Sequence, residues 1–301
     1  MIRKIAGLCL TPCMALCVTP FAHAAISSLD LGNYHLSATY NLPAGPAAEA
    51  SAVAWNADRG SLFVLGDEGD AIAEVSKTGA SISTMTLTGF DDTEGLTYIG
   101  GGKFVLVEER LQDAYLLTYT AGGAIARSSL QSVSIGPTTG NTGLEGISYD
   151  PVSGTFVMVK EKSPQAVYEA HLNFAAGGDA TMSSLFTPAL GVADLSDVQV
   201  LSGVAAGSAD AANLLIFSQE SAKLLEVDRS GSVLSMFDFA ALSGEAEGVT
   251  IADDGTIYVV DEGPHLYVLT ANAPVPLPAA AWLMLSGLAG LGVIRRRKPT
   301  I

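Results

Sequence analysis

Short apolar segments alternate with turns rich in glycine and aspartate along the whole central part of the chain. The segment "DTEGLTYIGGGKFVLVEER" (92–110) shows the pattern: an alternating strand, a glycine turn and then a nearly continuous apolar strand. Alternation favours a strand with one buried face, whereas a short continuous apolar run indicates a strand buried on both faces. The pattern predicts an all-β fold built from antiparallel strand pairs.

The same order of segments returns at a regular interval. Each repeat begins at an anchor residue in front of its first strand, and the anchors are Ser51, Glu94, Glu145, Ser196 and Glu247. Successive anchors are 43, 51, 51 and 51 residues apart. A period of this length, with several short strands and Gly turns in each unit, is typical of a β-propeller. We therefore predict one five-bladed β-propeller over residues 25–272, and the even spacing argues against a sixth blade.

The fifth repeat lacks an outer strand, because its pattern stops after the third strand at Thr270. A strand-like segment, "LGNYHLSATYNLPA" (31–44), stands before the first anchor and belongs to no repeat. Pairing this segment with the last repeat would close the ring and remove an exposed strand edge. We predict that the N-terminal strand closes the propeller.

The N-terminus has the layout of a secretory signal peptide. Arg3 and Lys4 precede an apolar stretch (5–21), and the small-residue site Ala-His-Ala (22–24) follows. This layout predicts a cleaved signal peptide over residues 1–24. All three cysteines lie inside it, so the exported chain can form no disulfide and no thiolate metal site.

The C-terminal segment, residues 273–301, contains "VPLPA" (275–279), an apolar run to residue 294 and a basic cluster at 295–298. The run predicts a short transmembrane helix with its basic end in the cytoplasm. The tail resembles the PEP-CTERM sorting signal in its Val-Pro-Leu-Pro-Ala form. That resemblance implies an exosortase as processing partner, passage through the inner membrane, and delivery to the cell surface or an exopolysaccharide matrix. An ordinary tail anchor is the alternative.

Charge limits the partners of the exported body. Nine basic and 31 acidic residues lie between the two terminal segments, which gives a net charge of −22. Such a surface repels nucleic acid and anionic lipid, and it attracts divalent cations. We therefore predict no nucleic-acid partner.

Acidic residues recur where each first strand begins and each second strand ends. In an antiparallel pair these two places share one end of the blade, so carboxylates from all repeats are expected to meet at one mouth of the central channel. The first set comprises Glu94, Glu145 and Glu247 at anchors and Asp197, which replaces the glycine after the fourth anchor. The second set comprises Glu49, Glu68, Glu109, Glu161, Glu220 and Glu262.

Converging carboxylates repel one another and need a proton, a basic side chain or a metal ion. Oxygen ligands in a flexible cage suit Ca²⁺ better than Mg²⁺, so a calcium site is one hypothesis. In the other, the glutamates accept backbone N–H groups from a neighbouring blade and act as structural clasps. The unbroken row of glutamates at the ends of the second strands favours the clasp. For the anchor glutamates both hypotheses stay open.

The Glu-Gly anchors, "DLSDVQV" (194–200), "SQES" (218–221) and "VDEG" (260–263) resemble the SdiA-regulated family, a group of bacterial propellers distantly related to NHL-repeat proteins. The resemblance implies a five-bladed propeller with a calcium site, exported or membrane-anchored, and no established activity. The chain departs from the pattern at Ala52, where glycine is usual, and this puts a role for Ser51 in question.

Two functions remain after this survey. The first is an exported, calcium-binding propeller that serves as a binding or scaffold protein. The second is a metal-dependent hydrolase of lactones or phosphate esters. Few basic residues are present to hold a phosphate. The histidines of the body, His35, His171 and His265, belong to different repeats and indicate no catalytic triad.

Overall fold

A computed structural model describes residues 29–138, 140, 142–203 and 212–272. This part of the chain forms five antiparallel sheets arranged as a five-bladed β-propeller, so the predicted fold is confirmed. The predicted signal peptide (1–24) and sorting tail (273–301) lie outside the described residues. Within the described part, no helix has the length and apolar character needed to cross a membrane.

The strands are numbered in chain order, and each blade runs from an inner strand at the channel to an outer strand. Blade 1 contains β2 (Ala50–Asn56), β3 (Ser61–Gly66), β4 (Ala71–Val75) and β5 (Ser81–Thr88). Blade 2 contains β6 (Thr93–Gly100), β7 (Lys103–Glu108), β8 (Asp113–Thr118) and β10 (Gln131–Ser134), while β9 (Ala124–Ala126) pairs in parallel with β5. Blade 3 contains β11 (Leu144–Asp150), β12 (Thr155–Lys160), β13 (Ala166–Ala170) and β14 (Ser183–Phe186). Blade 4 contains β15 (Asp197–Val200), β16 (Leu214–Ser218), β17 (Lys223–Val227) and β18 (Val233–Asp238).

Blade 5 draws its strands from both ends of the domain. It contains β19 (Ala246–Ile251), β20 (Ile257–Asp261), β21 (His265–Ala271) and, as its outer strand, β1 (Tyr34–Asn41). β1 pairs antiparallel with β21 over its whole length, from Tyr34 opposite Ala271 to Asn41 opposite His265. The prediction that the N-terminal strand closes the ring is confirmed.

Apolar side chains fill the spaces between neighbouring blades. The second strands are buried on both faces, as their continuous apolar sequences predict; every residue of β3, for example, is buried. Between blades 1 and 2 the rings of Phe63 and Phe104 pack with their centroids 4.6 Å apart. Burial of large side chains contributes roughly 1.5–3 kcal/mol each, so these layers supply most of the stability of the ring.

The glycines that follow the anchor glutamates allow neighbouring inner strands to touch. A Cβ atom on Gly146 would lie 2.5 Å from the Cα atom of Asp197 in blade 4. A Cβ on Gly95 would lie 2.5 Å from the carbonyl oxygen of Glu145, and one on Gly248 would lie 2.8 Å from that of Ser51. Backbone atoms cannot move aside without shifting a whole strand. The repeated Glu-Gly pair therefore sets the spacing of the blades.

The Gly146→Ala substitution tests this constraint. Because the new methyl group would overlap the inner strand of blade 4, we expect the free energy of unfolding to fall by about 3 kcal/mol. Urea denaturation monitored by circular dichroism measures the change. Gly244→Ala is the matched control, since nothing lies within 4 Å of a Cβ at that position. A Gly146→Ala protein as stable as this control would contradict the proposed role.

Candidate metal centre

A polar cavity of about 370 Å³ opens at the end of the channel where the inner strands begin. Every blade contributes side chains to its wall. The lining residues are Ser51, Asp67, Asp92, Glu94, Glu109, Arg110, Glu145, Glu161, Lys162, Gln219, Glu247 and Glu262. Eight of these side chains are acidic and two are basic, so full ionisation would leave six unbalanced negative charges. We call this space the acidic cavity.

The anchor glutamates Glu94, Glu145 and Glu247 stand at the starts of β6, β11 and β19, and all three line the acidic cavity half-buried. Burial, together with the neighbouring charges of Asp92 and Glu109, raises the pKa of Glu94 to about 8. Burial, with help from Glu94, raises the pKa of Glu247 to about 9. The pKa of Glu145 lies well above its usual range for the same reasons, with Glu161 as the first charged neighbour. The surroundings of the cavity therefore disfavour ionisation of these three carboxyl groups.

Strand pairing decides which residues at the second-strand ends face the acidic cavity. Gly66 pairs with Ala50 in blade 1, whereas Glu108 occupies the corresponding place in blade 2 opposite Thr93. The next residue in each blade lines the cavity, and this series is Asp67, Glu109, Glu161, Gln219 and Glu262. The predicted row of five glutamates was wrong in blades 1 and 4, where the sequence alignment was shifted by one residue.

Three predicted second-set residues consequently lie outside the acidic cavity. Glu68 and Glu220 are exposed, and Glu220 forms an ion pair of 2.9 Å with Lys162. Glu49 is exposed as well and forms a separate acidic group with Asp67 and Glu68, whose carboxylate oxygens lie within 4.8 Å of one another. We do not include these three residues in the candidate centre.

The tightest group inside the cavity joins three carboxylates from two blades. Oxygen atoms of Glu109, Glu145 and Glu161 all lie within 4.8 Å of one another. Glu109 and Glu161 are only 2% and 8% exposed. Burial raises the pKa of Glu109 to about 7, although the N–H of Gly143 donates a hydrogen bond to it. Three carboxyl groups at this separation cannot all be ionised without a compensating charge.

The two basic residues of the cavity wall already have partners. Arg110 forms ion pairs with Asp92 at 2.9 Å and with Asp91 at 3.2 Å. Lys162 contacts Glu161 and pairs with Glu220. Neither residue pairs with an anchor glutamate, so the charge at the centre of the cavity is left to protons or to a bound cation.

Asp197 has a different role from the one predicted. Its side chain is buried, and its two carboxylate oxygens accept the backbone N–H groups of Val198 and Val249, each at 2.7 Å. Val249 belongs to blade 5, so the carboxylate connects two blades at the place where other repeats carry glycine. Burial raises the pKa of Asp197 well above its usual range, and the two donors oppose that shift. Asp197 lies outside the wall of the acidic cavity and is a clasp, which removes it from the expected metal ligands.

The clasp hypothesis for the second-strand glutamates holds for one member of the set. Glu109 accepts the N–H of Gly143 in the next blade. Glu161 instead pairs with Lys162, and Glu262 accepts the side-chain amide of Gln219 at 3.3 Å. These interactions leave carboxylate oxygens of all three residues on the cavity wall.

Ser51 takes the place of an anchor glutamate and stays within the centre. It is 3% exposed and lines the acidic cavity between blades 2 and 5. Its hydroxyl donates to the carbonyl of Glu49 at 3.3 Å, and its proximity to Glu94 and Glu247 opposes the rise in the pKa of each. The doubt raised by Ala52 is therefore not supported by the position of Ser51.

A second set of clasps was missed in the sequence. The hydroxyls of Thr97, Ser148 and Thr250 accept backbone N–H groups of the next blade, from Tyr149 at 3.0 Å, Val200 at 2.9 Å and Trp55 at 3.1 Å. Each hydroxyl residue stands three positions after its anchor. This constant offset within the repeat was the available signal.

Thr97→Val tests the hydroxyl clasps. Valine keeps the shape of the side chain but leaves the N–H of Tyr149 without its acceptor, so the free energy of unfolding should fall by about 1–3 kcal/mol. Thr88→Val, at an exposed position of β5, should stay within about 0.5 kcal/mol of the parent. Equal effects in urea denaturation would argue against the clasp.

The raised pKa values predict a pH dependence of stability. Glu109, Glu94 and Glu247 titrate at about 7, 8 and 9 in the folded chain, far above the value of about 4.5 for free glutamate. The folded state holds more protons between these limits, so the contribution of these groups to stability is fully present below about pH 4.5 and is lost as pH rises toward 9. Denaturation in EDTA at several pH values should show this decline, and Glu145→Gln should make it shallower. A flat profile would contradict the assignment.

Comparisons with known proteins found several similar solved structures and one matching family model. It is similar to virginiamycin B lyase from Staphylococcus aureus, with 13% identity, 77% of this chain and 69% of that chain covered, and a TM-score of 0.42. A streptogramin B lyase is 11% identical, with 81% of this chain and 99% of that chain covered and a TM-score of 0.45. A luciferin-regenerating enzyme is 12% identical, with 78% of this chain and 95% of that chain covered and a TM-score of 0.48. All three TM-scores are below 0.5, so these similarities carry no argument about activity. The family model described as SdiA-regulated matches residues 27–270, and the chain therefore belongs to the SdiA-regulated family.

Proposed function

We propose that this propeller binds Ca²⁺ in the acidic cavity and serves as a binding or scaffold protein at the cell surface or in the extracellular matrix. The observation that carries the metal proposal is the group formed by Glu109, Glu145 and Glu161. Their oxygens lie within 4.8 Å of one another, and no basic side chain neutralises Glu145 among the described contacts.

The donor set fits calcium. Ca²⁺ takes oxygen ligands at about 2.3–2.6 Å, so two ligands on opposite sides of the ion lie about 4.6–5.2 Å apart. The oxygens of Glu109, Glu145 and Glu161 all lie within 4.8 Å of one another, which is close enough for one Ca²⁺ to contact all three. Mg²⁺ needs shorter distances and stricter octahedral geometry. When bound, the ion would supply the positive charge that the cavity lacks. The proposed ligands are Glu94, Glu145 and Glu247 from the inner strands with Glu109, Glu161 and Glu262 from the second strands.

The location of the protein is proposed from its sequence. The predicted signal peptide would direct export, and the sorting tail would bring the chain to an exosortase at the inner membrane before release. A metal-stabilised ring suits a place outside the cytoplasm, since a cysteine-free domain cannot rely on disulfides there.

The hydrolase alternative receives less support from the site. The described wall of the acidic cavity contains no histidine, and both of its basic residues are already paired with carboxylates. A phosphate ester would find no unpaired cation beside the proposed ion. Lactone hydrolysis needs only the ion and its bound water, so it is the activity to test.

Calorimetry with Ca²⁺ or with a chelator tests the metal proposal. When the concentration of free Ca²⁺ is 100 times its dissociation constant, binding adds about 2.7 kcal/mol to the free energy of unfolding. For a domain of this size the Tm should rise by about 5–10 °C. Glu145→Gln should remove most of the shift, whereas Glu245→Gln, an exposed residue outside the cavity wall, should keep it. A Tm that ignores calcium would refute the proposal.

Activity assays of the parent protein and the Glu145→Gln variant distinguish a scaffold protein from a hydrolase. We expect no turnover of a panel of lactones and phosphate esters in the presence of Ca²⁺. Turnover that disappears in both chelator and Glu145→Gln would establish the hydrolase instead.

A further inference from the structure

A second cavity, of about 240 Å³, lies at the far ends of the same inner strands. Its wall contains the residues four positions after each anchor. These residues are Trp55, Tyr98, Tyr149, Val200 and Ile251. Aromatic residues from three consecutive blades and aliphatic residues from the other two therefore line one cavity. We call this space the aromatic cavity.

Two of the rings donate hydrogen bonds to carboxylates. The indole N–H of Trp55 donates to Asp253 at 3.2 Å, and the hydroxyl of Tyr98 donates to Asp58. Donation to a negative acceptor shifts electron density into the ring, because neighbouring interactions polarise one another inside a protein. A ring with more electron density on its face attracts a cation more strongly.

A lysine side chain of the protein already forms a cation–π contact with one of these rings. Nζ of Lys77 lies over the ring of Trp55, 4.8 Å from the centroid. Lys77 lies outside the cavity wall and pairs with Asp254 at 3.0 Å, so its charge is largely neutralised. The face of Trp55 is thus a place where positive charge is accepted in the protein itself.

The wall offers little to a ligand that depends on hydrogen bonds. Gln199 donates to Ser148 and to the carbonyl of Val200, and its own oxygen accepts from Thr250. The hydroxyl of Thr250 also accepts the N–H of Trp55. A sugar would need several such groups to be available. The buried hydroxyl of Ser202 is the exception, since it has no partner among the described residues. The rest of the surface is mainly apolar and aromatic, with the exposed carboxylate of Asp253 at its edge.

We propose that the aromatic cavity binds a small organic cation that carries a methylated ammonium group. Such a group combines apolar surface with positive charge, which matches aromatic faces beside a carboxylate. The net charge of the exported body disfavours anions. Pockets for drug-sized ligands begin near 300 Å³, so a cavity of about 240 Å³ limits the ligand to a small head group.

Choline is the probe for the first experiment. Its uncharged carbon isostere, 3,3-dimethyl-1-butanol, has nearly the same shape and serves as the matched control ligand. Trp55 and Trp282 are the two tryptophans of the chain, so a Trp282→Phe background lets fluorescence report on the cavity alone. We expect saturable binding of choline, and binding of the isostere at least tenfold weaker. Equal binding of both, binding of neither, or binding of glucose in place of choline would overturn the proposal.

Titration calorimetry on variants of the cavity wall tests whether choline binds in the aromatic cavity. Trp55→Leu should weaken choline binding about tenfold, and Asp253→Asn, which can still accept the indole N–H, should weaken it about threefold. Asp228→Asn, in a turn of blade 4 outside the cavity, should bind choline like the parent. Melting curves establish that each variant is folded. If folded Trp55→Leu and Asp253→Asn proteins both keep the parent affinity, choline binds elsewhere and the proposal fails.

Discussion

The close contact between inner strands of neighbouring blades is the constraint on which the rest of the propeller depends. At Gly95, Gly146 and Gly248 the next blade comes so near that its backbone occupies the place of a side chain. The other two contacts hold a methyl group at Ala52 and a carboxyl group at Asp197. The ring is therefore narrow by construction. The side chains next to these positions are therefore brought close together in the channel.

The chemistry of both channel ends follows from this narrowness. At the end where the inner strands begin, anchor glutamates are brought together and lose contact with water, which is why their pKa values rise. At the other end, the same geometry gathers Trp55, Tyr98 and Tyr149. One repeat register thus produces an oxygen-rich cavity and an aromatic cavity within a single channel. The two proposed ligands, Ca²⁺ and a methylated ammonium ion, both carry positive charge, but only Ca²⁺ is a hard cation that requires oxygen ligands.

The sequence repeat predicts the blades, but it does not show the register of the strands or the hydrogen-bond partners of their side chains. Four strands per blade, their turns and the closing role of β1 all follow from period and alternation. The error at Glu68 and Glu220 arose because the repeats were aligned on their glutamates, whereas the end of a strand is set by its partner, as the pairing of Gly66 with Ala50 shows. The two backbone donors to Asp197 could not be predicted, because a sequence does not show which N–H groups a carboxylate meets. The hydroxyl clasps were present at a fixed offset and went unnoticed.

The pairing of β1 with β21 has a consequence for the order of events during folding. Tyr34 and Ala271 meet although almost the entire domain lies between them in the chain. A chain synthesised from its N-terminus presents β1 first and its partner β21 last. Until then β21 is missing, and neither the last blade nor the contact between blades 5 and 1 can form. Such non-local pairing is slow, because the closure entropy of the whole intervening chain precedes the gain. The ring can therefore be completed only after the full domain has been synthesised.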